Sequence, residues 1–382
     1  MAKLGAKSGM LSLVAAFALL TTLAHAETGI TDTSIKIGIS APLTGIQSAF
    51  GNEIKSVINS YFTQVNNNGG INGRLLKLVV MDDGYAPDRA ASNTAELLQN
   101  EKVFALTSYY GSAPTLAALP LITAAKIPLI GSLSGADGLR SPFNRYLFNI
   151  RASYANEADA IVAQLTSIGL TNIGILYQND SFGKSGMDGI VAALKKHAIQ
   201  PSVIAAIEPN STEVGSAVDA FKKIHPQEIV MITSLMPTAA FVRNLQQAGL
   251  FPYLSAFSTI GAAFLTHELG ELSRGIMISE VMPYVWDDTL GIAKDYKNLP
   301  VKLGKPETLT YSGMEAYINA RVLVEAMKLA GKNLTREKLI DTLENIRDYN
   351  ISGYQLSYSP SNHNGSKFVE ITVVGQNGKV MH

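Results

Sequence analysis

The sequence predicts an α/β protein built from two doubly wound lobes, each with a parallel sheet. Three observations support this fold class. Short β-rich segments alternate with longer segments of helical periodicity, which is the pattern of strands joined by crossover helices. The alternation runs in two consecutive series of similar size, before and after residue 151. The length of 382 residues also suits two domains better than one.

The first series begins with a strand at residues 34–40, followed by a helix whose apolar residues recur at helical spacing between 54 and 65. Gly69 and Gly70 end that helix. The rest of the series is a strand at 75–81, a helix from Pro87 to about Asn100, a strand at 103–106, a helix opened by Pro114 and a strand at 127–130.

The second series repeats this pattern. It contains a helix at 154–168, a strand at 173–177, a helix at 182–197, strands near 203 and at 229–232, a helix at 237–248, and strands near 253 and 276. A long helix at 312–330 and a β-rich stretch at 367–374 follow. Neither of these makes a domain alone, so we expect the chain to cross between the lobes more than once.

The first 26 residues have the features of a secretory signal peptide. Lys3 and Lys7 supply positive charge, residues 11–23 are apolar, and 24–26 read Ala-His-Ala, a small-residue cleavage site. A membrane-spanning helix is the alternative, but the apolar run is shorter than the ~20 residues needed to cross a bilayer. No cysteine follows for lipid attachment, so we expect a free periplasmic protein that begins at Glu27.

Composition excludes several classes of function. Removal of 26 residues from 382 leaves 356, with 29 basic against 31 acidic residues, because the leader holds two of the 31 lysines and arginines and none of the acids. This charge gives no reason to expect nucleic acid or anionic membrane as a partner. The absence of cysteine excludes disulfides, thiolate metal sites and cysteine nucleophiles.

Motifs for catalysis and cofactor binding are also missing. Gly183-Lys184-Ser185 resembles the end of a phosphate-binding loop, but Gln178 stands where that loop needs its first glycine. The histidines have no metal-ligand spacing, so we expect no metal site. Asp82-Asp83 is interpreted as a loop or capping pair rather than a catalytic dyad. We therefore expect no catalytic residues, no cofactor and no enzymatic activity.

The chain resembles the periplasmic leucine/isoleucine/valine-binding protein family, the type I solute receptors of ATP-driven (ABC) importers. The segments that carry the resemblance, in chain order, are 37–45 (IGISAPLTG), 69–73 (GGING), 82–83 (DD), 111–116 (GSAPTL), 127–130 (IPLI), 180–183 (DSFG) and 358–365 (YSPSNHNG). Each segment alone is weakly specific. Their order and spacing over nearly all of the mature chain are specific.

The resemblance implies a type I periplasmic binding protein fold, with two lobes joined by a three-crossing hinge. Lobe one is then residues 27–153 plus 284–352, and lobe two is 154–283 plus 353–382. The ligand binds between the carboxyl ends of the strands and is enclosed by hinge closure. The implied partners are a small-molecule ligand and an ABC permease in the inner membrane, and we expect the receptor to be a monomer.

The expected site begins with a cradle for a carboxylate. Ser112 follows a strand and precedes a helix opened by Pro114, so its hydroxyl and nearby N–H groups suit an anion. The alternative is a simple N-cap serine. Leu133, Ser134 and Gly135 fall where the family supplies further groups to the same carboxylate, and Ser134 is the better donor.

Matching positions imply the rest of the pocket. Phe50 and Phe182 match aromatic walls, and Tyr154 lies near the first crossing, although aromatic residues at helical spacing are more often core. Leu235 and Ser258 fall in lobe-two loops that face the cleft in the family. Ser258 stands where amino-acid-binding relatives carry an acid for the ligand's ammonium group.

The serine at this position leaves open whether the ligand carries an α-amino group. A buried ammonium without a carboxylate partner costs several kcal/mol. Either Glu280 supplies the missing charge, or the ligand lacks an α-amino group. The candidates are a branched-chain or aromatic amino acid and an aromatic or branched organic acid. A sensor module for a membrane signalling partner is the alternative function, because transport and sensing need the same closed form.

Overall fold

The computed structural model describes residues 27–299 and 309–382. The predicted signal peptide at 1–26 lies outside these ranges. Among the helices that they contain, none combines the length and the apolar character that a membrane span needs.

The first sheet contains five parallel strands in the order β2-β1-β3-β4-β5. These strands are β1 (Ser34–Ala41), β2 (Leu75–Asp82), β3 (Ala105–Thr107), β4 (Leu129–Ile130) and β5 (Leu147–Phe148). The crossover helices are α1 (Ser48–Asn67), α2 (Pro87–Gln99) and α3 (Ser112–Ala124). The six apolar residues that predict α1 are all buried: Ile54, Val57, Ile58, Tyr61, Phe62 and Val65. Burial of this apolar face therefore holds helix α1 against the rest of the fold.

The second sheet repeats this topology, with parallel strands in the order β7-β6-β8-β9-β10. The strands are β6 (Ile173–Gln178), β7 (Val203–Ile207), β8 (Glu228–Ile232), β9 (Tyr253–Ala256) and β10 (Met277–Glu280). The helices are α4 (Tyr154–Ser167), α5 (Ser181–Lys196), α6 (Gly215–Ile224), α7 (Leu235–Gln247) and α8 (Ala262–Leu269).

After β10 the chain returns to the first sheet through α9 (Gly291–Lys297), α10 (Tyr311–Ala330) and α11 (Arg336–Glu344). Helix α10 packs against α1, β3 and β4. A hairpin follows, formed by β11 (Tyr349–Ile351) and β12 (Tyr354–Leu356). The chain then adds β13 (Glu370–Val374) and β14 (Val380–Met381) to the second sheet, both antiparallel.

The predicted fold class is confirmed, because the strand order 2-1-3-4-5 occurs twice and defines two doubly wound sheets. The chain passes between the two sheets three times, before α4, after β10 and after β12. Residues 357–365, assigned to lobe two by the sequence, hydrogen-bond beside β5, where Asn149 N–H donates to His363 O (2.8 Å). The lobe boundaries at 153, 284 and 353 stay predictions.

Candidate functional site

The two sheets meet at the carboxyl ends of their strands. Tyr85, which follows β2, donates its hydroxyl hydrogen to Asp180 Oδ2 (3.1 Å), and Asp180 follows β6. Asp180 also caps α5 by accepting from the N–H groups of Phe182 and Gly183 (both 3.0 Å). In each sheet the strand order reverses beside its first strand, β1 or β6, and the crevice at such a point is where open α/β sheets bind ligands.

A pair of buried serines lies at the start of α3. Ser112 and Ser134 place their Oγ atoms 2.7 Å apart, and the hydroxyl of Tyr154 lies 3.4 Å from Ser112 Oγ. The helix begins at Ser112, two residues before Pro114, and Gly111 is its N-cap with φ +86°. The expected alternative of an N-cap serine is therefore wrong: Ser112 lies in the first helical turn, and its hydroxyl faces Ser134 and Tyr154.

Aromatic rings from both lobes line the cleft. Phe50 on α1 stacks on Tyr110 with ring centroids 5.4 Å apart, and it meets the edge of Phe264 on α8 at 4.8 Å. Tyr154 contacts Phe182, with centroids 5.3 Å apart. These rings enclose the polar groups of the cleft in an apolar wall, which strengthens electrostatic interactions inside it.

A buried ion-pair network lies behind this wall. Arg151 donates to Glu157 Oε1 (2.8 Å) and to Glu315 Oε2 (3.3 Å), and it also donates to the hydroxyl of Ser258. Glu157 Oε2 accepts from the N–H of Ser258 (3.0 Å) and from the hydroxyl of Ser279 (2.7 Å). Burial raises the pKa of Glu315 to about 7, although Arg151 opposes the shift. The network joins α4, α10 and the chain after β9.

The acid at the end of β10 has no such partners. Glu280 is 0% exposed, and neither of its carboxyl oxygens has a hydrogen-bond partner among the described residues. Desolvation raises its pKa well above the usual range, with further raising by Glu157 and Glu315 and opposition from Arg151. Burial without a partner therefore favours the neutral form of Glu280.

One small cavity gathers residues from both lobes. Its volume is about 20 Å³, room for about one water molecule. The residues around it are Phe50, Tyr110, Leu133, Arg151, Ser258, Thr259, Glu280, Val281, Met282, Tyr311, Ser312 and Glu315. Four of the predicted site residues thus surround this cavity, namely Phe50, Leu133, Ser258 and Glu280.

The other predicted site residues do not surround the small cavity. Ser112, Ser134 and Tyr154 form the adjoining hydroxyl cluster, and Gly135 O accepts from Tyr154 N–H (2.8 Å). A Cβ at Gly135 would lie 2.4 Å from the ring of Tyr154, which explains the glycine. Phe182 contacts the ring of Tyr154 and is not among the residues around the cavity. Leu235 begins α7 as a buried core residue and is not among the residues around the cavity.

Sequence reasoning missed Arg151, Glu157 and Glu315. A signal was available in α10, where residues 311, 314, 318 and 322 form an apolar face and Glu315 lies on that face. Glu157 is likewise followed by buried Ala158 and Ile161 in α4. A carboxylate on an apolar helix face is seldom buried without a partner, so each residue predicts a buried cation.

The remaining sequence motifs have structural roles. Asp82 accepts from the Leu43 N–H (2.8 Å) and the Thr44 hydroxyl (2.7 Å), and Asp83 accepts from the Ser40 hydroxyl (2.7 Å). The interpretation of this pair as loop-forming is confirmed. Within residues 27–299 and 309–382, no cluster of His, Asp or Glu has the geometry of a metal site.

Similarity to known proteins extends over nearly the whole chain. The family described as periplasmic binding protein matches residues 34–379. A substrate-binding periplasmic protein from Ralstonia solanacearum is 31% identical, covers 91% of this chain and 99% of its own, and has a TM-score of 0.86. A possible leucine/isoleucine/valine-binding protein from Rhodopirellula baltica SH 1 is 27% identical, covers 92% and 96%, and has a TM-score of 0.85.

An amino acid binding protein from Pseudomonas aeruginosa is 23% identical over 220 residues, which are 56% of this chain. The match spans 58% of the length of that curated relative. The family match, by contrast, runs from the first strand nearly to the last. Together with the repeated strand order, it confirms the resemblance that the sequence motifs carry. The chain belongs to the periplasmic binding protein family and is a solute-binding protein rather than an enzyme.

Proposed function

We propose that this chain is a periplasmic receptor that captures a small carboxylate-bearing ligand between its lobes and delivers it to an ABC permease in the inner membrane. The observation that carries the proposal is the buried pair of Ser112 and Ser134 at the start of α3. Two hydroxyls held at a helix N-terminus suit an anionic ligand group, because free N–H groups and the helix dipole favour negative charge there.

We place the ligand in the cleft between the lobes, and not in another depression, because of the buried polar groups in the cleft. Larger depressions of about 400 Å³ beside Phe251 and about 700 Å³ beside Trp286 also occur. Among the described residues around them, no buried side-chain polar atom lacks a partner. Ligand pockets combine apolar walls with a few convergent polar groups, and the interlobe cleft has both.

The name of the Rhodopirellula baltica protein and that of the Pseudomonas aeruginosa protein refer to amino acids. They support a ligand with a carboxylate. A branched-chain or aromatic amino acid and the corresponding organic acid remain the two candidates, since both present a carboxylate to Ser112. The aromatic wall of Phe50 and Tyr110 suits an apolar side chain in either case.

Replacing Ser112 by alanine is expected to weaken binding of the carboxylate ligand about tenfold or more. Each charge-assisted hydrogen bond to a carboxylate contributes roughly 1.5 to 3 kcal/mol. Titration calorimetry with L-leucine, L-phenylalanine and their des-amino analogues measures this change. Amidated or esterified forms of the same compounds should not bind.

The matched control for this experiment is Thr115→Val. Thr115 is buried on the same helix, and its hydroxyl donates to Gly111 O (2.6 Å), away from the serine pair. Its loss should leave ligand affinity within about twofold. Equal affinities of the Ser112→Ala variant and the unmodified protein would remove the basis for the carboxylate cradle.

Closure of the lobes predicts a second effect, at Tyr85. Tyr85→Phe removes the hydrogen bond to Asp180 across the cleft, and Tyr85 packs on Gly111, where a Cβ would lie 2.4 Å from its ring. We expect ligand affinity to fall roughly fivefold to tenfold, because the bond exists only when the lobes touch. Small-angle scattering should also show a smaller ligand-induced decrease in the radius of gyration.

Tyr109→Phe is the control for Tyr85. The Tyr109 hydroxyl lies 3.0 Å from Thr94 Oγ1, entirely within lobe one, so its removal affects stability but not closure. Should both variants bind ligand equally well, the contact between Tyr85 and Asp180 would have no part in closure.

A further inference from the structure

Five loops meet at the edge of the second sheet that faces away from the cleft. The parallel strands β6 to β10 all begin at this edge, and their carboxyl ends lie at the cleft. Backbone hydrogen bonds join the loops: Gln227 N–H donates to Asn172 O (2.8 Å), and Tyr253 N–H donates to Gln227 O (2.9 Å). We call this surface the basic end face and define it by residues 166–172, 194–204, 222–227, 246–253 and 270–276.

The basic end face carries an excess of positive charge. It holds five basic residues and one acidic residue, Glu271, which gives a net charge of +4 when the histidines are neutral. The basic residues are all exposed and are Lys195, Lys196, Lys222, Lys223 and Arg274. Lys196 pairs with Asp159 of α4 (2.6 Å). The whole sequence balances 31 basic against 31 acidic residues, so this excess is a local feature that the overall composition does not show.

Exposed apolar side chains lie on the same face. Ten large apolar side chains are exposed among the described residues, and five of them belong to the basic end face: Ile168, Ile204, Ile224, Phe251 and Tyr253. Phe251 is 77% exposed and Tyr253 is 67% exposed. The depression of about 400 Å³ beside Phe251 is surrounded by residues that include Leu245, Leu272 and Arg274. An apolar patch of this kind, with polar residues around it, marks an interaction surface.

Helix geometry accounts for only part of this pattern. Helices α5 and α6 end at this face, and the helix dipole favours lysine in the last turn of a helix. That effect does not place Arg274 beside an apolar depression, and it does not expose two aromatic rings. Positive charge next to exposed aromatic and aliphatic side chains is the combination that binds the surface of an anionic membrane.

We propose that the basic end face binds the anionic phospholipid headgroups of a membrane. Phe251 and Tyr253 enter the boundary between headgroups and acyl chains, while the lysines and Arg274 contact the phosphates. A second copy of the chain fits this face less well, because two surfaces of charge +4 repel each other. The exposed apolar side chains come from four different loops, so a fluid layer conforms to them better than a rigid protein surface does.

This contact goes beyond the proposed function and does not depend on it. The basic end face lies at the amino ends of the strands, whereas the cleft lies at their carboxyl ends. The cleft therefore stays free to bind ligand while the face is on a membrane. Ligand affinity, measured by calorimetry, should be the same for the unmodified protein and for every variant of this face described below.

Vesicle cosedimentation of the mature chain tests the proposal. The vesicles are phosphatidylcholine alone and an equal mixture of phosphatidylcholine and phosphatidylglycerol. We expect binding to the mixed vesicles at low salt and little binding to phosphatidylcholine alone. In about 0.5 M salt the binding should fall by at least about tenfold, because salt screens exposed charges. Equal binding to the two kinds of vesicle, or no binding to the mixed vesicles at low salt, would overturn the proposal.

Two variants separate the contributions of charge and apolar surface. Lys222→Gln combined with Lys223→Gln removes two cations, each of which contributes roughly fivefold to binding of an anionic surface, so binding should fall about tenfold or more. Phe251→Ser removes an exposed ring and should weaken binding about fivefold. All three positions are exposed, so the free energy of unfolding should change little.

The matched controls lie on elements of the first lobe. Lys55→Gln combined with Lys77→Gln removes the same charge from exposed positions of α1 and β2. Leu329→Ser removes a leucine of α10 that is 60% exposed. Both controls should bind the mixed vesicles as the unmodified protein does. Controls that lose as much binding as the variants of the basic end face would show that the contact is not made by this face.

Sedimentation velocity distinguishes a second copy as the occupant. The unmodified chain should sediment as a monomer when no vesicles are present. A dimer that Phe251→Ser dissociates, together with no binding to mixed vesicles, would identify the face as a self-association surface and overturn the proposal. Unchanged vesicle binding by Phe251→Ser would show that charge alone makes the contact, and it would likewise overturn the assignment to a membrane.

Discussion

Replacing Arg151 by methionine is expected to lower the free energy of unfolding by about 3–5 kcal/mol. Arg151 is the cation that the buried carboxylates of Glu157 and Glu315 share, and methionine of similar length leaves both acids without a counter-charge. The loss should grow as pH rises, because burial already raises the pKa of Glu315 against the opposing effect of Arg151, and without Arg151 the folded chain holds this proton more firmly than the unfolded chain does. Urea unfolding at about pH 5 and about pH 8 measures both effects.

Lys196→Met is the control for Arg151, because Lys196 pairs with Asp159 on the surface at 2.6 Å. An exposed ion pair contributes about 0–1 kcal/mol, so this variant should unfold nearly as the unmodified protein does. Adding Glu157→Gln to Arg151→Met should restore part of the stability, since one unpaired charge is removed. A loss for Arg151→Met as small as that for Lys196→Met would contradict the structural role assigned to the network.

Replacing Gly183 by alanine is expected to destabilise lobe two by about 3 kcal/mol. A Cβ at this position would lie 1.9 Å from Gln178 O and 2.5 Å from Gln178 N, so the backbone of β6 and the first turn of α5 must separate. The Gly183 N–H also donates to Asp180, which accepts from Tyr85 across the cleft. Ligand affinity should therefore fall together with stability, as measured by urea unfolding and calorimetry.

Gly215→Ala provides the comparison. Gly215 is the first residue of α6, and a Cβ there meets no atom within 4 Å. Alanine at this position should be neutral or stabilise the fold by up to about 1 kcal/mol, through helix propensity and reduced freedom of the unfolded chain. If both glycine variants behaved alike, the close approach at Gly183 would not be a constraint on the fold.

Local periodicity predicted most of the fold. The apolar spacing between residues 54 and 65 predicted α1, and Pro87 predicted the start of α2, because these signals act within one helix. Strand β5 is only two residues long, and β11 and β12 are three each, so their sequences carry too little periodicity to be recognised. Such short strands are defined by their neighbours in the sheet.

The site was predicted less completely, and for a related reason. Ser112 and Ser134 were both expected from motif positions, but only the fold places their hydroxyls 2.7 Å apart. Arg151, Glu157 and Glu315 were not predicted, although they come from the first hinge passage, α4 and α10 and meet in one network. A carboxylate on an apolar helix face indicates that a buried cation is needed, but it does not indicate which residue supplies that cation.

The sequence by itself determined the fold class, the solute-binding family and the exclusion of cysteine chemistry, because these depend on composition, periodicity and the order of motifs. Tertiary structure alone decided the electrostatics of the cleft. In the folded chain, Arg151 pairs with Glu157 and Glu315, and the carboxyl group of Glu280 has no hydrogen-bond partner in the part of the chain that the structure describes. Glu157 is six positions from Arg151, but Glu315 is 164 positions away, and no local pattern encodes which distant charges will meet when the two sheets face each other.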